Sequence, residues 1–294
     1  MIILSSPSGA GKSTFFKCLL GLIKTTSGEG SVLGHDIKTE GSLIRSKIGY
    51  MPEYDSLDPG LTAIDQVRYS GELLGMNPDS ATQRAHEVLQ YVGLKDQRYR
   101  KIETFSTGMK QAAKLACALI HDPDILICDE PTNGLDQRAR EFMLQTLKKT
   151  VSEGGRSVLM SSHVMDDVEQ VCDRIVMIHK GKIVVHRSIE DMVSQVEKEI
   201  EISVWGGASR MEKALISSNL SVRRMGRNMR VTKIDDSTYT DILSAAAKAE
   251  VQVRKMTDYE PDLEDIFLLI MDKLGEDVKQ TDDLITPRYS GEGS

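Results

Sequence analysis

The chain has 294 residues and a mass of 32.6 kDa, room for one large domain and a smaller one, with 40% apolar residues and a formal net charge of -7. That acidic balance argues against bulk nucleic-acid binding, which needs a basic face, and no apolar run approaches the ~20 residues of a membrane-spanning helix. Cys18, Cys117, Cys128 and Cys172 are widely spaced without a Cys-x-x-Cys pair, so they read as small buried hydrophobes in a reducing, cytosolic compartment and not as a zinc or redox site.

Ile2-Ile3-Leu4, a glycine-rich turn and the run Lys12 to Gly21 read as buried strand, loop and helix. Residues 31–37 and 47–51 read as short strands around a loop. From Ala63 to about Gly93 the pattern is helical and polar, broken at Gly75-Met76-Asn77-Pro78, and helical spacing resumes from Thr107 to Ile120 until Asp122-Pro123 stops it. Strand Ile125–Cys128, helix Gln137–Ser152, strand Ser157–Ser161 and helix Val164–Cys172 then alternate, the mark of a parallel sheet covered by helices. Strands Arg174–His179 and Lys182–His186 meet at Lys180-Gly181, a hairpin signal. Around Val196 to Glu199 the register changes. Strand Glu199–Trp205, helix Ser209–Ser218, a hairpin of Ser221–Met225 with Arg230–Ile234 about Gly226-Arg227-Asn228, helix Thr238–Ala249, strand Val251–Met256 and helix Asp262–Leu274 follow. The order β-α-β-β-α-β is that of a ferredoxin-like module, and Gly275 to Ser294 is polar enough to read as a disordered tail.

Four short runs carry chemistry. Ser8-Gly9-Ala10-Gly11-Lys12-Ser13-Thr14 is the end of a glycine-rich phosphate loop, in which backbone N–H groups at a helix N-terminus satisfy a dense anion. Gly9 and Gly11 let the backbone wrap phosphates, Lys12 suits the β/γ oxygens and the Ser13 hydroxyl suits Mg²⁺; Ser6 stands where the usual first glycine would be. Far downstream, Ile125-Leu126-Ile127-Cys128 closes on Asp129 and Glu130, followed by Pro131-Thr132. A carboxylate at the end of a buried strand needs a cation or a water network, so Asp129 suits the second shell of Mg²⁺ and Glu130 the polarising of an attacking water. Phe105-Ser106-Thr107-Gly108-Met109-Lys110-Gln111 lies between these runs, and Ser161-Ser162-His163 lies after them.

With these four runs in this order, residues 1 to about 190 resemble the ATP-binding-cassette (ABC) ATPases of exporter transporters. The resemblance implies that residues 105–111 are the signature motif, with Ser106, Thr107, Gly108 and Met109 acting on the γ-phosphate held by a second subunit. It implies that Asn133-Gly134-Leu135-Asp136 is the D-loop and that His163 is the switch histidine. Glu53, in Ile48-Gly49-Tyr50-Met51-Pro52-Glu53, falls at the family's Q-loop glutamine and can still ligate Mg²⁺ through oxygen. The expected fold is α/β: a P-loop NTPase domain of ABC type over residues 1–197, with a parallel sheet core and a helical subdomain at about 61–120. A small α+β ferredoxin-like domain over 198–274 and a tail over 275–294 complete it. Members of the family usually carry edge strands and an adenine-stacking aromatic ahead of the phosphate loop; this chain begins one strand before it and lacks them, so the expectation is a truncated or mis-assigned start, the alternative being nucleotide binding with less adenine stacking.

By resemblance the chain is an ATPase that uses ATP and Mg²⁺, pairs as a homodimer or with a related ATPase subunit, and drives an integral membrane permease from the cytoplasmic face. The permease is expected to dock near Glu53 and segment 61–93. The C-terminal module is similar to accessory domains of exporter ATPases, and Glu260-Pro261-Asp262-Leu263-Glu264-Asp265-Ile266-Phe267 to their final helix, an aid to dimer contacts; Leu263, Ile266, Phe267 and Ile270 share one face. Other readings compete. A nucleoside-monophosphate kinase shares the phosphate loop but needs neither Ser106-Thr107-Gly108 nor Glu130. Soluble translation ABC proteins carry two cassettes, and DNA-repair relatives insert heptad coiled coils that this sequence lacks. A non-catalytic remnant is the reading the sequence leaves open.

Overall fold

The computed structural model describes residues 1–5, 10–194, 198–226 and 228–259, with Leu263, Asp265 and Ile266. They fall into two compact units whose boundary lies between Ile189 and Glu190. The first unit opens with β1 (Ile2–Ser5), α1 (Lys12–Leu19), β2 (Ser31–Val32), β3 (His35–Asp36), α2 (Gly41–Lys47) and β4 (Ile48–Met51). It continues with α3 (Ala63–Leu73), α4 (Pro78–Tyr91), α5 (Thr107–Leu119), β5 (Ile125–Cys128), α6 (Gln137–Ser152), β6 (Ser157–Ser162), α7 (Met165–Val171), β7 (Arg174–His179) and β8 (Lys182–Ser188); α8 (Ile189–Ser194) starts where the unit ends.

Its sheet has six strands in the order β4-β5-β6-β1-β7-β8, with β1 parallel to both β6 and β7 and only β8 antiparallel. Strands such as Ile2–Ser5 and Ile125–Cys128 are apolar along their whole length because a parallel sheet is covered on both faces. Leu4 and Ile127 in the sheet pack with Phe16 of the first helix, its C-cap Leu20, and Ile44 of the second. Parallel register brings the C-terminal ends of β1, β4, β5 and β6 to one edge, where open α/β sheets place their ligands. At the far edge, Lys180 and Gly181 both take positive φ (49° and 77°), the two-residue turn whose twist suits a hairpin.

Helices α3, α4 and α5 form a second layer. Thr62 caps α3 by accepting from the Asp65 N–H, and Asn77 caps α4 by accepting from the Ser80 N–H ahead of Pro78 at its first position. Gly49 of β4 lies so close under α5 that a Cβ there would stand 2.2 Å from the Ala118 carbonyl oxygen.

The second unit holds β9 (Glu199–Trp205), α9 (Ala208–Ser217), β10 (Val222–Met225), β11 (Asn228–Thr232), α10 (Thr238–Lys248) and β12 (Gln252–Tyr259). Its four-stranded antiparallel sheet runs β10-β11-β9-β12, and alternate residues Ile200, Ile202, Met229 and Val231 meet Met211, Leu215 and Ile242 from the helices in one core.

Two expectations need correcting. Residues 31–37 form two two-residue strands instead of one, and α2, unforeseen, follows them. Ile44 is the only fully buried residue of α2, so its sequence has no apolar stripe, and the Arg45 guanidinium donating to the Leu20 carbonyl at 3.0 Å ties it down from outside. The second hairpin is tighter than expected: Met225 pairs with Asn228, so β11 starts two residues early, which turns Met229 and Val231 into the core. Of the expected helix Asp262–Leu274 only Leu263, Asp265 and Ile266 are described; they are helical, with Leu263 and Ile266 buried. The rest of that helix and the expected tail lie outside the described residues.

Candidate functional site

Ser8 and Gly9 of the phosphate loop lie outside the described residues. From Ala10 onward the loop turns into α1 at Gly11, whose φ of 107° is a left-handed conformation that only glycine takes without strain. Lys12 follows, nearly buried, and Ser13 lines a cleft of about 460 Å³ with Lys17, Tyr50, Glu53, Tyr54, Asp129 and Asn133. Thr14 is exposed on the first turn of the helix.

Asp129, at the end of β5, lines the same cleft, with β6 paired beside that strand. The Asp129 N–H donates to the Met51 carbonyl at 2.8 Å, continuing the ladder one residue past the strand, and its carboxylate accepts from the Ser161 hydroxyl at 2.7 Å. Ser161 also accepts from the Glu130 N–H at 2.8 Å, so one buried hydroxyl sets both acids. Glu130 is left-handed (φ 49°), a strain of roughly 1–2 kcal/mol for a residue with a Cβ, and such strain concentrates at functional sites.

Glu130 is engaged on both oxygens: the Lys12 ammonium lies 3.3 Å from Oε1 and the His163 Nδ1 lies 2.9 Å from Oε2. A carboxylate only accepts, so Nδ1 carries the proton of that bond and Nε2 is the second ring nitrogen, on a side chain about half exposed (53%). Burial and the nearby Asp129 carboxylate push the Tyr50 hydroxyl well above its ordinary range, so it lines the cleft as a neutral group. Ser13, Asp129 and Glu53 supply oxygen atoms to this one cleft, yet among the described residues no three acidic, histidine or cysteine side chains form a metal cage. That donor set fits Mg²⁺, which takes one or two protein oxygens and fills its sphere with water and substrate phosphate.

Ser106, Thr107, Gly108, Met109 and Asp136 are not brought into this cleft. Ser106 is the exposed N-cap of α5, accepting from the Met109 N–H at 3.3 Å, and Asp136 is the exposed N-cap of α6, accepting from the Ala139 N–H at 2.9 Å. The two helix starts are neighbours, since a Cβ on Gly108 would stand 3.2 Å from that of Ala139. They form a separate exposed corner of the same unit.

Sequence reasoning assigned no role to several residues that shape the cleft. Ser161 lies two residues before His163, but its link to both acids needs the register of β5 against β6. Buried Asp167 on α7 accepts from the Thr132 hydroxyl at 2.6 Å, tying the helix after His163 to the turn after Glu130, and burial raises its pKa. Lys114 is a buried ammonium in the midst of apolar α5; a charge inside Ala112-Ala113-Lys114-Leu115-Ala116 was a signal available from the sequence.

The family profile described as ABC transporter matches residues 1–133. The linearmycin resistance ATP-binding protein LnrL of Bacillus subtilis (strain 168) is 35% identical, over 90% of this chain and 87% of that protein. The daunorubicin/doxorubicin resistance ATP-binding protein DrrA of Streptomyces peucetius is 30% identical, over 90% and 82%. Among solved structures, the dimeric, post-hydrolysis state of an ATP-binding cassette bound to ADP and Pi is similar with a TM-score of 0.59 and 27% identity, over 64% of this chain and 85% of that one.

Proposed function

This chain belongs to the ABC transporter family as an ATP-binding, ATP-hydrolysing subunit of the exporter kind, and we propose that the cleft between α1 and the ends of β4, β5 and β6 is where it hydrolyses ATP. One observation carries the assignment: Lys12, Glu130 and His163 lie within 3.3 Å of their neighbours in a single constellation at the edge where the parallel strands end.

In this reading the N–H groups opening α1, with Ser8, Gly9, Ala10, Gly11 and Thr14, cradle the phosphates, and Lys12 turns from Glu130 to their oxygens. Release from Lys12 frees Glu130 Oε1 to accept a proton from an attacking water, while His163 donates from Nδ1 to Oε2 and, when it also carries a proton on Nε2, can donate from there to the γ-phosphate. Ser161 holds Glu130 and Asp129 at fixed separation, so no reorganisation is needed when charge develops. Mg²⁺, when bound, supplies charge neutralisation at the phosphates, and Ser13, Glu53 and Asp129 would hold it, Asp129 through water.

The exposed corner of Ser106, Thr107, Gly108, Met109 and Asp136 is not among the residues that line the cleft, and it acts on the nucleotide of a second copy or of a related ATPase subunit. A membrane permease is the other partner, at the surface by Glu53 and residues 61–93, from the cytoplasmic face. Among the described residues no helix is long and apolar enough to cross a membrane. We further infer that the second unit is a ferredoxin-like accessory domain; its β-α-β-β-α-β order and the sheet order β10-β11-β9-β12 support this.

The test is Glu130→Gln. The variant is expected to retain ATP, lose turnover and shift from monomer to dimer mass on adding ATP. Undiminished hydrolysis, or a persistent monomer with ATP bound, would refute the assignment.

A further inference from the structure

Lys114 is a charged side chain with only 5% of its surface exposed, on a helix whose neighbouring residues Ala113, Leu115, Ala116 and Ala118 are buried. Its ammonium donates to three backbone carbonyls of one loop: Pro52 at 2.8 Å, Glu53 at 3.0 Å and Tyr54 at 3.3 Å. An ammonium has three N–H donors and no acceptor, so three carbonyls satisfy it completely. Removal from water lowers the pKa of Lys114 against the opposing pull of Asp55, Glu53 and Asp129; among the described residues no carboxylate forms an ion pair with it, and Asp55 accepts from Lys110 at 2.9 Å.

The arrangement is a stripe. Ala118, Lys114 and Lys110 lie at four-residue spacing on one face of α5, and from one end of the stripe to the other they meet Gly49, residues 52–54 and Asp55. The helix thus follows the chain from the middle of β4 to the loop that carries Glu53. Between these positions Gln111 donates to the Asn133 carbonyl at 3.3 Å, so the same face touches the turn after Glu130. The helix begins about 12 Å from Lys114, at Ser106.

We infer that Lys114 is a positioning residue for hydrolysis: by holding the carbonyls of residues 52–54 it fixes Glu53 in the cleft and makes the Glu53 loop and the helix starting at Ser106 move as one body. The inference rests on reading the cleft as the nucleotide site. Moving the loop off the helix would strand a buried ammonium without acceptors and leave three carbonyls to find new donors, so displacement of Glu53 is transmitted along α5 instead. A neutral methylene chain at 114 would fill the space but impose no such penalty. The lysine is therefore placed for mechanical linkage, in a helix interior where packing alone would favour an apolar residue.

The experiment compares the full chain with Lys114→Met and Lys114→Gln, using amide hydrogen exchange without nucleotide, thermal unfolding, and ATPase rate against Mg²⁺ and ATP concentration. Lys114→Met is expected to speed exchange in residues 53–57 by about tenfold or more while α5 stays protected. Its kcat should fall by about tenfold to a hundredfold, with the KM for ATP within a few-fold, as for a misplaced group that does not itself bind substrate. Lys114→Gln, which keeps two donors, should fall between the two. A folded Lys114→Met with unchanged loop exchange and unchanged kcat would overturn the inference. If neither variant folds, the intact protein decides: loop exchange matching that of α5 supports the linkage, and loop exchange as fast as an exposed segment overturns it. Glu130→Gln separates the two levels, because undiminished hydrolysis in that variant would defeat the reading of the cleft while loop exchange still tests Lys114.

Discussion

Replacing Gly49 by alanine adds a single methyl group in the middle of β4, and the structure sets the size of its effect. The new Cβ would lie 2.2 Å from the Ala118 carbonyl oxygen, 3.0 Å from the Ala118 carbonyl carbon and 3.0 Å from the Pro123 ring. Two of these contacts are backbone, so no rotamer change relieves them, and α5 must withdraw from the sheet by more than an ångström. Gly49 has no positive φ, so the cost is steric and not conformational. Overpacking of a dense core costs typically 1–3 kcal/mol, and a backbone clash belongs at the upper end, about 2–3 kcal/mol. For a unit of this size that is a fall of roughly 5–10 °C in Tm. Far-UV ellipticity is the appropriate probe, because the single tryptophan, Trp205, lies in the second unit. Gly60→Ala is the control: its Cβ would meet only the tip of Asp58 at 3.3 Å, and the change should stay within about 0.5 kcal/mol. A Gly49→Ala protein with the stability of the wild type would refute the close seating of α5 on β4, and with it the stripe that places Lys114.

Further outcomes follow from individual contacts. His163→Ala removes the partner of Glu130 Oε2 and should lower kcat by about a hundredfold with little change in the KM for ATP, measured by phosphate release. Burial raises the Asp167 pKa, so the folded chain holds that proton more tightly than the unfolded chain, and its ionisation costs stability as pH rises through and above the ordinary aspartate range. Asp167→Asn removes this term; its stability relative to wild type should rise from acid to neutral pH in urea titrations, and a pH-independent difference would contradict the argument. Ile202→Ala empties a fully buried position on the central strand β9 and should destabilise the second unit by about 2–5 kcal/mol, followed by Trp205 fluorescence. Burial pushes the Cys117 thiol up to about 11 and the Cys172 thiol to about 12; both residues are only partly buried by surface, so their alkylation at mildly alkaline pH should be slow in the folded chain and speed up on unfolding.

Much of the fold was legible because its elements carry local signatures. Helix α6 has the expected bounds because Asp136 caps it and its apolar spacing is unbroken, and β5 because four apolar residues end on two acids. Family resemblance rested on side-chain identity at short range, which a sequence states outright: Lys12, Asp129, Glu130 and His163 each sit beside their own motif. The sequence could not state α2, which lacks an apolar stripe and is tied to Leu20 by Arg45, nor the register of the second hairpin, which the core chose by burying Met229 and Val231. It could not say that Lys12 and His163 meet on Glu130, or that Ser161 sets both acids, because those contacts join residues 31 to 118 positions apart through strand order and register. Composition and local patterning therefore determined which elements form and which chemistry they carry. Only the tertiary structure decided which side chains meet, because parallel strands pair across long crossovers and a single step of register turns each side chain to the other face.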